Sequence, residues 1–366
     1  MGRRSSASWL ALIYALLVVY ASLYPFWPWR WPTGVQGPGV LVLHWPRYWL
    51  GFDIWANALG YAPFGLLLFA AVVRSGGTER AAWLAVLLGL PAASYLTETL
   101  QYFLPGRVPS LADWGLNSAG AVAGGVLGWL LHRLGGLARW HGWRERWFVP
   151  QSAGALALLA LWPVGLLFPA PLPLGLGQWL PRLRELSAQA LDGTPWALQD
   201  TDFANLVELP LPPGQEAIAV ALGLLGPVLL ALSVARPGWR RLLLVTGAGL
   251  TGVLVTTLST ALNFGPQHAW AWISPTVWPG LCAGLVLSLL ACLMSRRANA
   301  AWGLVALTVL IALITEAPTD PYLAQTLQTW EQGRFINLYG LAQWVGWVWP
   351  FAAIAWLLWG VTQRER

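Results

Sequence analysis

Three short sets of polar side chains interrupt the apolar runs in the first third of the chain. Asp53 and Asn57 are four apart, Ser94, Glu98 and Gln101 follow at i, i+4 and i+7, and Asp113 and Asn117 are again four apart. On a helix each set shares one face. Arg107 falls between the second and third sets, in the short run Leu104-Pro105-Gly106-Arg107-Val108-Pro109. Ionisable groups inside an apolar span are costly and by default mark a functional site. Glu98 or Asp113 has the chemistry of a general base, and the planar guanidinium of Arg107 that of a phosphate clamp. The carboxylates with the Asn and Gln oxygens also have the donor set of a hard divalent cation. Each residue has a structural reading as well. Asp53 and Asp113 can cap helix N-termini. Asn57, Gln101 and Asn117 can link helices by hydrogen bonds, Arg107 can touch lipid headgroups, and Glu98 with Arg107 can form a buried ion pair. A functional cluster and a structural polar plug therefore both stand at this stage.

The elements that must position these residues follow from composition. The 366 residues are 57% hydrophobic and 10% charged, with a mean hydropathy of +0.57, whereas a soluble domain carries about 25% charged residues. A soluble globular fold is excluded. The chain is expected to be all-α, a polytopic integral membrane helix bundle, because a hydrocarbon core about 30 Å thick needs roughly 20 apolar residues per helix. That ruler places about ten transmembrane helices near 8–25, 55–73, 81–103, 114–133, 150–168, 217–235, 241–262, 275–294, 300–315 and 339–361.

All 21 basic residues are Arg, which excludes Schiff-base and P-loop lysine chemistry. With the N-terminus inside, Arg3, Arg4, Arg74, Arg80, Arg133, Arg139, Arg144, Arg146, Arg236, Arg240, Arg241, Arg296, Arg297, Arg364 and Arg366 lie on the inner side, 15 of the 21. Positively charged short loops stay cytoplasmic, so both termini are expected there. In that topology the polar ends of spans 2, 3 and 4 meet in the outer leaflet. Charges scattered between apolar runs form no basic stripe, so nucleic acid is not an expected partner. Trp140, Trp143 and Trp147, like Trp27, Trp29 and Trp31, fall near span ends and read as interface anchors.

Below Asp113 and Asn117 the same helix face continues as Gly120, Gly124 and Gly128, a stripe that lets another helix approach closely. Pro63 and Pro91 can bend spans 2 and 3. A parallel 4+4 internal repeat is expected, with two C-terminal helices outside it. Thr97-Glu98-Thr99-Leu100-Gln101-Tyr102 aligns with Ser259-Thr260-Ala261-Leu262-Asn263-Phe264, and Gly120, Gly124 and Gly128 with Gly280, Gly284 and Ser288. Ser22-Leu23-Tyr24-Pro25 aligns with the end of span 5 at Phe168-Pro169. The expected domains are a four-helix unit at 1–148, a degenerate second unit at 149–298 with an extracytoplasmic loop at 169–216, and a two-helix extension at 299–366. In that loop Trp179, Leu183, Leu186 and Ala190 recur at helical spacing opposite Arg182, Arg184 and Glu185, reading as an amphipathic helix on the outer leaflet. Glu316, Asp320, Arg334 and Asn337 form a weaker polar set that could cover the cluster or be merely solvated.

Asp53, Asn57, Pro63-Phe64-Gly65, Glu98, Gln101, Arg107, Ser110, Asp113, Asn117 and Gly120, in that order and spacing, resemble the motif of the VanZ-like family. The resemblance covers about 50–130. It implies a multi-pass protein of the bacterial inner (plasma) membrane acting in the cell envelope, in a family whose founding phenotype is low-level teicoplanin (glycopeptide antibiotic) resistance. It supplies no established catalytic residues.

Three functions from different classes remain. The first is binding or processing of an anionic envelope lipid or lipid-linked precursor, such as an undecaprenyl-linked intermediate, with Glu98, Asp113 and Arg107 as the reactive groups and Asp53, Asn57, Gln101 and Asn117 as binding groups. The second is a transporter or scramblase of an envelope component, and the third a non-catalytic scaffold for other envelope proteins; membrane lipids are the expected partners. The inner halves of spans 2–4 lack charges, which favours the first over the second. There is no Gly-x-Ser-x-Gly, no His-Glu-x-x-His and no Cys pair at metal spacing, and His44, His132, His141 and His268 form no evident metal set. The sequence names no cofactor.

Overall fold

The computed structural model describes residues 6–24, 26–32, 37–46, 51–105, 107–168, 170–180, 183, 187, 211–317 and 336–362, with the backbone alone at 6, 51–53, 56, 137–138, 141, 336–341 and 361–362. Among the described residues the regular elements are helices, apart from one isolated antiparallel bridge between Phe148 and Ala235. Contacts divide the chain into two units, Met1–Glu145 and Arg146–Arg366.

The first unit contains α1 (Ser6–Leu23), α2 (Gly51–Arg74), α3 (Glu79–Gln101) and α4 (Leu111–Arg133). Two signals shape α3. Thr78 caps its start, its Oγ1 accepting from Ala81 N at 3.1 Å, and the turn Ala85–Gly89 is π-helical just ahead of Pro91. A proline removes a backbone donor and crowds the preceding turn, and a π-turn is one way a helix absorbs that.

The closest packing in this unit is α2 against α4. A Cβ on Gly120 would overlap the carbonyl oxygen of Ala58, one on Gly124 that of Ala62, and one on Gly65 that of Ala121. Both facing stripes carry only glycine and alanine at these contacts, so the two backbones touch. In an apolar solvent such close approach supplies the packing energy that hydrophobic burial cannot. At the far end of the pair α3–α4, Arg133 Nη2 lies 2.9 Å from Glu79 Oε2, with Trp129 Nε1 donating to the same oxygen at 3.3 Å. The α3–α4 pair is thereby closed at its arginine-bearing end.

A helix at Gly136–Trp147, α5, follows where the sequence reading has only an inner loop. Its charges hid it from a search for apolar spans. Trp140 and Trp143 on it are exposed and stacked at 5.1 Å.

The second unit holds α6 (Ala153–Leu166), α7 (Pro213–Val234), α8 (Arg240–Phe264), α9 (Val277–Ala291), α10 (Arg296–Glu316) and α11 (Ile336–Thr362). Its centre is α7, buried over most of its length against α6, α8, α9 and α10. The proline-rich stretch after α6 is not a surface loop at its start. Leu172, Leu174 and Leu176 are buried in the core of this unit, and Gly223 of α7 is the small residue that lets the Leu174 backbone in. Most of the amphipathic helix read at 179–190 lies outside the described residues, as do Asp320 and Arg334.

By length and composition, Asn57–Arg74 of α2 together with α3, α7, α8 and α10 are long and apolar enough to cross a membrane, and Ala7–Leu23, Ala153–Leu166 and Val277–Ala291 are shorter apolar helices.

Candidate functional site

The α2–α4 crossing fixes the first pair of the polar cluster. Asn57 stands one residue before the first tight contact on α2, Ala58, Asp113 two turns before its counterpart on α4, Gly120, and Asn57 Nδ2 donates to Asp113 Oδ1 at 2.6 Å. The start of α4 is built by Ser110, whose Oγ accepts from the amides of Ala112 and Asp113 at 3.1 and 3.4 Å. Ser110 is thus the N-cap that Asp113 had seemed able to be. Asp113 is one turn inside, free of that duty and turned to Asn57 instead.

Glu98 reaches this same helix start from α3. Its Oε2 accepts the backbone N–H of Ser110 at 3.2 Å, and only 4% of the residue is exposed. A carboxylate at a helix N-terminus meets the positive end of the helix dipole. One turn along α3, buried Ser94 receives a bond from Asn117 Nδ2 at 3.1 Å. Glu98 also interacts electrostatically with Asp113 and Arg107. Glu98, Ser94, Asn117, Asp113 and Asn57 therefore form one polar layer shared by three helices.

Gln101 and Arg107 face the end of α1. Gln101 Nε2 donates to the Ser22 carbonyl at 3.0 Å. Arg107 donates through Nε to the Tyr24 carbonyl at 3.1 Å, and through Nη2 to Tyr24 and Ala21 at 2.8 and 3.0 Å. The last carbonyls of a helix have no intrahelical donors, and here two side chains supply them. Burial lowers the pKa of Arg107, and the nearby Glu98 carboxylate raises it. The expected Glu98–Arg107 interaction is thus electrostatic, while these guanidinium hydrogen bonds hold the end of α1.

Tyr61 was missed by the sequence reading. It is buried, with its hydroxyl beside Ser22, Ser94, Thr97 and Glu98. The signal was present, because Asp53, Asn57 and Tyr61 are spaced four apart on one helix face. Of Asp53 itself the structure describes the backbone, in the first turn of α2.

A strap between α1 and α2 lies against the same end of the unit. The hydroxyls of Tyr95 and Tyr102 donate to the carbonyls of Leu41 and Val42, the second at 2.7 Å. Leu111 N donates to the His44 carbonyl at 2.9 Å, and Arg30 N to that of Phe103 at 2.8 Å. Leu41, Val42, Trp45 and Val108 remain exposed there, an apolar rim around the polar layer. Glu316 ends α10 and Asn337 lies in α11, both in the second unit.

Among the described residues, no group of three or more His, Cys, Asp or Glu gathers as a metal site would. The arrangement offers a buried carboxylate beside a second one, amide groups, a tyrosine hydroxyl, and an arginine within electrostatic reach. That set can take up or release a proton and can hydrogen-bond a polar headgroup.

Residues 9–132 match the family model described as VanZ/LLP1. The cluster lies wholly inside that match, so this stretch is a VanZ-like domain. Comparison with curated proteins and with solved structures gave no match. With its apolar helices, the chain is a membrane protein carrying a VanZ-like domain.

Proposed function

We propose that the VanZ-like domain at residues 9–132 binds or processes an anionic lipid, or a lipid-linked precursor, of the bacterial cell envelope. The observation that carries this reading is Glu98. A carboxylate 4% exposed in an apolar helix is expensive. One backbone hydrogen bond from Ser110 would be a weak structural reason to keep it. Here it sits beside Asp113 and Tyr61, at the end of the unit where exposed apolar side chains rim the polar layer. An acyl or isoprenoid chain could lie along that rim with its headgroup at Glu98. Glu98 or Asp113 serves as proton acceptor and Arg107 supplies positive potential, and membrane lipids are the partners expected.

The topology proposed with this site has ten spans, both termini in the cytoplasm and the polar layer outermost, in the bacterial inner membrane. The division of arginines supports it. A 4+4 duplication is part of the same reading. A link to glycopeptide resistance rests on the family resemblance alone.

The competing reading is a structural plug, and Arg107 favours it, because its guanidinium holds α1 in place. Native mass spectrometry of the purified full chain separates the two, using undecaprenyl phosphate, phosphatidylglycerol and phosphatidylethanolamine as probes. The expected result is preferential retention of undecaprenyl phosphate, lost in Glu98→Gln while the melting temperature in detergent stays within a few degrees. Equal retention of all three lipids by both proteins would reject a lipid site. A melting temperature that falls with retention would make the cluster a plug, since breaking a buried ionic interaction typically costs about 3–5 kcal/mol.

A further inference from the structure

The polar layer has an electrostatic problem as a site for an anionic lipid. Its side chains include two carboxylates, Glu98 and Asp113, and among the described residues Arg107 supplies positive potential at Glu98 while its Nε and Nη2 donate to the carbonyls of Ala21 and Tyr24. A phosphate approaching Glu98 and Asp113 meets like charge.

The structure also holds an acceptor with nothing to accept. Asn117 is 4% exposed, its Nδ2 is spent on Ser94, and its side-chain oxygen Oδ1 is one of several buried side-chain atoms without a hydrogen-bond partner among the described residues. Buried polar atoms in native proteins are nearly always satisfied, so an orphan marks a missing water, ion or ligand. Its position is informative. Asn117 is one turn after Asp113 on α4, and its amide reaches Ser94, one turn before Glu98 on α3. The Asn117 side chain therefore stands between α4, one turn from Asp113, and α3, where Ser94 is one turn from Glu98.

We propose that Glu98, Asp113 and the side-chain carbonyl of Asn117 hold a hard divalent cation, which bridges the cluster to the phosphate of the lipid. The bridge rests on the lipid reading above, while the cation site rests on the cluster itself. All three ligands are oxygens, which suits magnesium or calcium. Magnesium in particular is commonly held by one or two carboxylates, with substrate phosphate and water completing the shell. That habit explains why no third carboxylate or histidine is gathered among the described residues. It also adds positive charge beside the two carboxylates, which favours an anionic headgroup.

The test uses the full chain in nanodiscs after EDTA treatment and desalting. Manganese binding is followed by the loss of the free Mn2+ electron paramagnetic resonance signal, with magnesium as competitor. One site displaced by magnesium is expected in the wild type. Replacing a direct ligand should weaken it by about tenfold or more, as losing even an outer-shell partner typically does. Glu98→Gln and Asn117→Leu should both show that loss, whereas Asn117→Asp should keep or tighten binding by supplying a charged oxygen. The aspartate variant guards against a misfolded Glu98→Gln being read as a lost site. No saturable binding in the wild type, or equal binding in the wild type, Glu98→Gln and Asn117→Leu, overturns the cation site. Undecaprenyl phosphate retention is then measured with magnesium and with EDTA. Retention only with magnesium supports the bridge. Retention unchanged in EDTA overturns the bridge and keeps the lipid reading. Manganese bound without any lipid retention overturns the lipid reading and keeps the cation site.

Discussion

The helices α1–α4 of the first unit and α6–α9 of the second share a plan and differ in what is placed on it. In both, the second and fourth helices cross through small residues set against backbone carbonyls. Gly120 and Gly124 face Ala58 and Ala62, and Gly280 and Gly284 face Ala217 and Ala221. In both, the third helix reaches back to the end of the first, Gln101 to the Ser22 carbonyl and Ser259 to the Leu167 carbonyl at 2.8 Å. These paired contacts support the duplication read from the sequence. The polar chemistry is what differs. Opposite Glu98 stands Thr260, which bonds back to Thr256 in its own helix. Opposite Asn117 is Val277, buried in the apolar core. Carrying the alignment one turn further pairs Asn57 with Glu216 and Asp113 with Ile273, so the 2.6 Å bond across the first crossing has no analogue in the second. The second crossing forms without the hydrogen-bonded polar pair and buried carboxylate of the first, so those groups need a reason beyond the scaffold.

The largest expected effect tests whether the crossing is equally tight in both. A Cβ at Gly124 would overlap the carbonyl oxygen of Ala62, which belongs to backbone and cannot swing aside, whereas at Gly284 it would sit 2.9 Å from that of Ala221. Gly124→Ala should cost at or above the top of the usual overpacking range of about 1–3 kcal/mol, and Gly284→Ala should fall at its bottom. Melting in detergent of the two variants checks this. Equal losses would mean the two crossings carry the same load.

Arg107 gives the next effect. Removing three charge-assisted bonds to the end of α1 in Arg107→Ala should destabilise by about 2–3 kcal/mol, with faster amide exchange confined to the last turn of α1. The counterpart, Ser259→Ala, removes one neutral bond to Leu167 and should cost about 1 kcal/mol. If Arg107→Ala left the exchange of α1 unchanged, its guanidinium would be holding something other than that helix.

Glu98 separates stability from function. Glu98→Ala leaves the buried Ser110 N–H without its acceptor and should cost about 1–3 kcal/mol. Glu98→Gln keeps an oxygen there and should cost less than about 1 kcal/mol while losing the lipid. Thr260→Ala in the second unit removes an intrahelical bond and should change lipid retention not at all. Loss of retention in Thr260→Ala would give the second unit a share in the site.

Much of this was legible in the sequence, for identifiable reasons. The i, i+4 spacings placed Asn57, Asp113, Ser94, Glu98 and Asn117 on facing sides of three helices, and the glycine stripe indicated a close crossing. The partners of Arg107 and Gln101 were not legible, since a main-chain carbonyl at a helix end has no residue type to read. Tyr61 was hidden by company. In a chain with 27 Trp and 9 Tyr, an aromatic near a span end reads as an interface anchor. The stretch at 170–178 was read as a loop because prolines punctuate it, yet every second residue from Leu172 to Leu176 is a leucine that the core of the second unit accepts.

The smallest effect sharpens the contrast between the units, because both bury a polar atom without a partner. Among the described residues Asn117 Oδ1 is such an atom in the first, and Ser288 Oγ is one of several in the second, fully buried where the alignment puts Gly128 in the first. If an orphan acceptor is only an imperfection, removing either should help, since deleting an unsatisfied buried group is neutral or stabilising by about 1 kcal/mol. Ser288→Ala keeps the Cβ that the packing already accommodates and deletes only the hydroxyl, so a melting temperature equal to or slightly above that of the wild type is expected. Asn117→Leu deletes the orphan oxygen too, with the same branching and number of side-chain heavy atoms, but also leaves Ser94 without the bond it receives. In metal-free protein the two variants should therefore differ by little more than one hydrogen bond, about 1 kcal/mol. Adding magnesium should raise the melting temperature of the wild type and of Ser288→Ala but not of Asn117→Leu, because only a protein that binds the ion in its folded state is stabilised by it. Melting curves with and without magnesium read this directly. An equal magnesium shift in Asn117→Leu would reduce the orphan in the first unit to the same status as the one in the second.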